Sequence, residues 1–203
     1  MTQDQMTFTG PPAGDANGGA RYHVPAEPGV WILLFGDMLV FSALFVVYLR
    51  QRSRAPELFA VSQDTLDRTT GAINTVVLLT GSLLVVLATA AIQRGDFRRS
   101  KALLFAGTTV GSLFVVLKAR EYHEIIGAGF APSTNSFYMY YFVLTGLHLA
   151  HVALGLVLLF ALAATTRGQP SSTRLAMVEG GACFWHMVDL LWIIIFPLIF
   201  LVR

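Results

Sequence analysis

Near the C-terminus, Glu179, Cys183, His186 and Asp189 recur at steps of four, three and three residues. Upstream, Thr145, His148 and His151 lie at steps of three, with Gly155 four further on. Residues three or four apart share a helix face, so each set forms one stripe. Imidazole and carboxylate are ligands for zinc or iron. His148 or His151 with His186 could ligate a haem. A file of carboxylates and imidazoles could also pass protons, or the groups could satisfy one another between helices. The chain has five histidines, and the paired Glu-x-x-His pattern of di-iron bundles is missing. Mutual satisfaction is therefore the favoured reading, with no catalytic residue and no metal ligand assigned. Cys183 is the one cysteine, which excludes an internal disulfide, and it reads as a small buried side chain.

These stripes need helices to carry them, and the composition says in what medium. Of 203 residues, 55% are apolar and 13% charged, about half the charge of a soluble domain. The formal charge of +2 is too small to argue for nucleic acid. Crossing a bilayer takes about 20 mostly apolar residues. Five segments meet or approach that, at about 30–49, 72–92, 102–124, 137–164 and 175–202. The expected fold is all-α, an integral membrane bundle of five transmembrane helices. Short connections make consecutive helices antiparallel neighbours. Residues 1–29 are rich in Gly, Pro and polar residues and read as a flexible tail. They lack the apolar core of a signal peptide, so the first span is expected to act as an uncleaved signal-anchor. Lys and Arg divide evenly between the two sides and leave the orientation undecided.

Antiparallel topology sets relative depth. Asp37 on span one and Glu179 on span five fall at one level. His148, His151, His186 and Asp189 fall at the next, near mid-membrane. Toward the opposite face, Asn74 meets the level of Glu121 and Tyr122, a secondary polar pair of Asn74 and Glu121. A charged group at bilayer depth costs roughly 2.5–3.5 kcal/mol even on lenient scales, so these side chains should face protein, water or a partner. Spans four and five are expected to pack with their stripes facing, and Asp37 to join them. A free-standing proton-coupled membrane protein is one function class that fits. A subunit packed on a larger membrane enzyme is another.

Several motifs resemble subunit III of the haem-copper oxidases, the cytochrome c oxidase subunit III family. W-I-L-L-F-G-D-M-L-V-F (Trp31–Phe41) is similar to the family's W-x-x-x-x-x-E-x-x-x-F. Asn74-Thr75 with Leu78, Leu79, Gly81 and Ser82 is similar to N-T-x-x-L-L-x-S-S. Glu121-Tyr122 resembles the E-Y of Q-x-x-E-Y. T-G-L-H-L-A-H-V-A-L-G (Thr145–Gly155) resembles T-G-x-H-G-x-H-V-x-x-G. Glu179–Phe196 resembles E-x-x-x-x-Y-W-H-F-V-D-x-x-W-x-x-x-F. The chain departs from the pattern at Asp37, where Glu is expected, at Lys118 for Gln, and at Leu149 for Gly. It also has five spans where the long form has seven. The G-D-M-L-V-F wording is most similar to the nitric-oxide-reductase-associated branch.

The resemblance implies a non-redox accessory subunit with no cofactor of its own. Haem and copper would sit in a partner, the catalytic subunit of a haem-copper oxidase or a nitric oxide reductase, alongside other oxidase subunits. Such a subunit stabilises its partner and supports proton uptake and oxygen access in aerobic electron transport. It leaves room for bound phospholipid, although loss of two helices removes one wall of the family's lipid cleft. By resemblance, Asp37, His148, His151, Glu179, His186 and Asp189 hold helices together and shape the subunit interface. The implied location is a bacterial cytoplasmic membrane, with the N-terminus inside and the C-terminus outside.

Overall fold

The computed structural model describes residues 28–165 and 172–202. Residues 1–27 of the expected tail lie outside the described residues. The helices are α1 (Pro28–Arg54), α2 (Pro56–Gln63), α3 (Arg68–Gln93), α4 (Phe97–Gly127), α5 (Ser136–Thr165) and α6 (Ser172–Phe196). A π-helical turn, Pro197–Leu201, follows α6 directly. Among the described residues, five spans are long and apolar enough to cross a membrane: Gly29–Arg54, Arg68–Gln93, Phe97–Gly127, Ser136–Thr165 and Leu175–Leu201. The protein is a multi-pass integral membrane protein built as an all-α bundle.

Helix ends are set by recognisable chemistry. Asp67 caps α3, accepting from the Thr69 amide at 2.9 Å and the Thr70 hydroxyl at 2.6 Å. Those bonds, the Thr70 hydroxyl foremost, hold its carboxyl below the usual aspartate range. Asp96 caps α4 through the Arg99 amide at 2.9 Å. Between α3 and α4 the chain reverses at Gly95, whose φ of 80° suits a residue without a Cβ. Asn135 caps α5 through the Tyr138 amide at 3.1 Å. The 50–71 connection is not all loop: Pro56 starts α2, preset for a first helical turn. Phe59 of α2 is buried edge-on between Tyr48 and Phe137. Asn135 Nδ2 donates to Ser62 Oγ at 3.0 Å, closing that end of the bundle.

The helices α3, α4, α5 and α6 close a four-helix ring in which each packs on the next, α6 against α3 and α5. Trp185 of α6 is fully buried against Gly111 of α4, Gly155 of α5 and Gly81 of α3. A Cβ would lie 2.7 Å from this indole at Gly111 and 2.9 Å from it at Gly155, so the two glycines make the close approach. α1 is peripheral. One broad face of it, including Ile32, Phe35, Leu39 and Val46, is exposed and apolar, as a lipid-facing helix requires. Tyr48 ties α1 to the far end of the chain, donating to the Leu198 carbonyl at 3.3 Å within the π-helical turn. Pro197 has no N–H for the preceding turn, and the bond closes instead from the Val202 N–H to the Pro197 carbonyl at 2.9 Å.

Candidate functional site

The polar residues fall into three groups. The first joins α1 to α5. His151 Nδ1 lies 2.8 Å from the Leu147 carbonyl, which can only accept, so Nδ1 carries a proton. His151 Nε2 then faces Asp37 Oδ2 at 3.4 Å. A bond between them requires one proton, on the imidazole or on the carboxyl. The pair is only partly enclosed, with Asp37 28% and His151 16% exposed. Phe41 closes one side of the imidazole, edge-on at 5.5 Å.

The second group lies between α3 and α6. His186 Nδ1 is 2.7 Å from Ser82 Oγ and 3.9 Å from Asp189 Oδ2. Gln93 Nε2 donates to Glu179 Oε1 at 3.2 Å. Of these, Gln93, Glu179 and His186 line, with Cys183, an outward groove of about 300 Å³ whose other walls include Val86 and Ala182. The His186 side chain remains 37% exposed there.

The third group is the most buried and lies where α4, α5 and α6 meet. Lys118 is fully buried, and its Nζ donates to Glu121 Oε1 at 2.9 Å. Tyr141 donates its hydroxyl to the same oxygen at 2.6 Å. The rings of Tyr122, Tyr141, Trp192 and Phe200 surround the ammonium at 5.0–5.6 Å, a cation–π cage. Thr145 gives its proton to the Tyr141 carbonyl at 2.6 Å, so Tyr122 must donate to Thr145 at 2.7 Å. Trp192 Nε1 donates to Thr75 Oγ1 at 3.0 Å.

The residues singled out from sequence are thus distributed. Asp37 meets His151; Glu179, His186 and Asp189 share the α3/α6 side. His148 stacks on Trp192 at 5.2 Å, edge-on to Phe114 at 5.6 Å. His148 and His151 are three apart yet meet different helices. Across α5 and α6 the stripes meet aromatic rings, His148 on Trp192 and His151 on Phe184. Glu121 bonds Lys118 and Tyr141, while the Asn74 side-chain amide has no hydrogen-bond partner among the described residues. Lys118 and Tyr141 were not among the sequence candidates. The signal for Lys118 lay in periodicity: Phe114, Lys118, Glu121 and Ile125 follow one buried face of α4, whereas Arg120, His123 and Glu124 are exposed. Among the described residues, no group of three or more His, Cys, Asp or Glu is arranged to hold a metal ion.

Residues 23–202 match the sequence profile described as cytochrome c oxidase subunit III. The chain belongs to the cytochrome c oxidase subunit III family. Subunit 3 of the cytochrome bo(3) ubiquinol oxidase of Pseudomonas aeruginosa is 29% identical over 182 residues, covering 85% of this chain and 83% of that one. Cytochrome c oxidase subunit 3 of Synechocystis is 29% identical over 175 residues, covering 85% and 74%. The "Heme-copper oxidase subunit I+III" of Aeropyrum pernix is 26% identical over 185 residues, 85% of this chain but 22% of that longer protein. The motifs carrying the family likeness run through all three polar groups, from Asp37 in the first to Glu179–Asp189 in the second and Glu121 in the third.

Proposed function

We propose that this chain is a non-redox accessory subunit of a respiratory haem-copper oxidase, stabilising the catalytic subunit and supporting proton uptake and oxygen access in aerobic electron transport. Family membership over residues 23–202 is the observation that carries this reading. The Aeropyrum relative, whose name joins subunits I and III, supports a catalytic subunit I as the neighbour. Haem and copper belong to that partner. Asp37, His148, His151, Glu179, His186 and Asp189 hold the helices together, with Asn74 and Glu121 as a secondary polar pair, and the partly exposed Asp37, His151 and His186 shape the shared surface. The groove beside His186 and the half-open Asp37–His151 pair are polar surfaces at span depth, where contact with protein is favoured over lipid. The subunit sits in a bacterial cytoplasmic membrane, N-terminus inside and C-terminus outside, with phospholipid as a further ligand.

The wording around Asp37 also admits a nitric oxide reductase as the partner. Gas consumption by the purified complex decides between them. Oxygen uptake that decays faster during turnover when this subunit is stripped away supports the oxidase reading. Nitric oxide consumption without oxygen uptake transfers the subunit to the other enzyme. An unchanged turnover lifetime without the subunit contradicts the stabilising role.

A further inference from the structure

The turn between α3 and α4 and the start of α4 carry Arg94, Arg98, Arg99 and Lys101 against one carboxylate, Asp96. The three arginines are exposed and form no ion pair among the described residues. Asp96 is engaged elsewhere, since its Oδ1 caps α4 on the Arg99 amide at 2.9 Å. Lys101 is half-buried, its ammonium 5.8 Å from the centre of the Phe105 ring, so the arginines carry the exposed charge. Arg98 and Arg99 stand in the first turn of α4, which holds no acidic residue. The helix dipole is positive there and disfavours a cation, a cost that an external anion offsets. Arg52 and Arg54 differ, because they stand in the last turn of α1, where the dipole itself favours a cation.

The place of the turn says which anion. Gln93 ends one span and Phe97 begins the next, so the turn lies at the depth of lipid headgroups. Leu83, Leu87 and Arg94 follow at steps of four and seven along one side of α3, and both leucines are exposed. Apolar surface suited to acyl chains thus runs up to the cations. We propose that the α3–α4 turn binds the phosphate headgroup of anionic phospholipids, with Arg94, Arg98 and Arg99 on the phosphate and the acyl chains along Leu83 and Leu87. This rests on the reading of phospholipid as a ligand, and adds its place on the chain and its charge class. The turn lies on the N-terminal side of the bundle, so the orientation proposed above puts it in the cytoplasmic leaflet, where anionic lipid attracts polybasic segments.

Native mass spectrometry of the full natural chain in mild detergent, offered phosphatidylglycerol and phosphatidylethanolamine in equal amounts, tests this. The expected result is a predominance of phosphatidylglycerol adducts. Arg94→Gln with Arg98→Gln and Arg99→Gln should weaken that binding at least tenfold, on roughly fivefold for each cation at a membrane surface. Arg50→Gln with Arg54→Gln, also exposed but at the other end of the bundle, should leave it unchanged. Equal adducts of the two lipids overturn the anionic class. Selective binding that survives in the triple variant, or falls equally in both variants, keeps phospholipid as a ligand and overturns the turn as its site. A chain that retains neither lipid overturns the phospholipid reading itself.

Discussion

Lys118 is the residue on which the interior electrostatics turn. Its ammonium is fully buried and depends on one carboxylate oxygen and four aromatic rings. Removing one member of a buried pair strands the other, at about 3–5 kcal/mol, whereas replacing both by apolar side chains is often neutral. Lys118→Met should therefore lower unfolding stability by about that amount, and Lys118→Met with Glu121→Leu should recover most of it. Thermal unfolding in detergent measures both, and a double variant no better than the single would contradict the pairing. Asp67 gives a milder test outside the membrane. Its carboxyl titrates below the usual aspartate value in the folded chain, so its cap stabilises above the unfolded-state pKa. That contribution fades as pH falls through the folded value. Asp67→Ala should cost about 1 kcal/mol near neutrality and converge with the natural chain in strong acid, in unfolding followed against pH. At this scale the sequence was readable in part. The depth argument put Asp37 level with Glu179 and one level from the α5 histidines, whereas Asp37 faces His151 and Glu179 accepts from Gln93; nor did step-of-three spacing separate His148 from His151. The small angle between them on α5 is enough to send one to Trp192 and the other to Asp37. Lys118 was marked only as a departure from the family pattern, because a lysine beside Arg120 and Glu124 resembles a solvated helix end until its face is followed turn by turn.

At the scale of elements, the bundle depends on where side chains are missing. Trp185 fits because Gly111 and Gly155 leave its indole room. Gly155→Leu should destabilise the bundle by about 1–3 kcal/mol through overpacking. Gly36→Leu, at a position with nothing within 4 Å of a new Cβ, should leave the melting temperature nearly unchanged. Equal losses in the two variants would contradict the placement of α6 against α5. The five apolar helices were legible because a bilayer fixes both their length and their hydropathy. α2 was not, since eight residues carry too little periodicity, and its helix is held by Phe59 packing between Tyr48 and Phe137. The π-helical turn was equally hidden. Pro197 marks a break in the helix, but the turn is held by the Val202 N–H on the Pro197 carbonyl and the Tyr48 hydroxyl on the Leu198 carbonyl.

For the molecule as a whole, the surface separates two kinds of contact. α1 offers a broad apolar face suited to lipid, while α3 and α6 leave imidazole, thiol, amide and carboxylate around one groove. Family membership was readable from motifs spread over Trp31–Phe196, because those motifs include the polar residues that a membrane bundle places sparingly. The relatives include subunits of both a ubiquinol oxidase and a cytochrome c oxidase, so the motifs they share do not mark an electron donor. Association with a haem-bearing catalytic subunit is what we propose for the whole chain. It is tested most directly by native mass spectrometry, with an absorbance spectrum, of the chain purified from its own membranes after mild solubilisation. The expected result is an assembly holding this 22.1 kDa chain together with a larger haem-containing subunit, the haem absorbance leaving with the larger subunit when the two are separated. A chain that emerges alone, or that keeps a Soret band after separation, would contradict it.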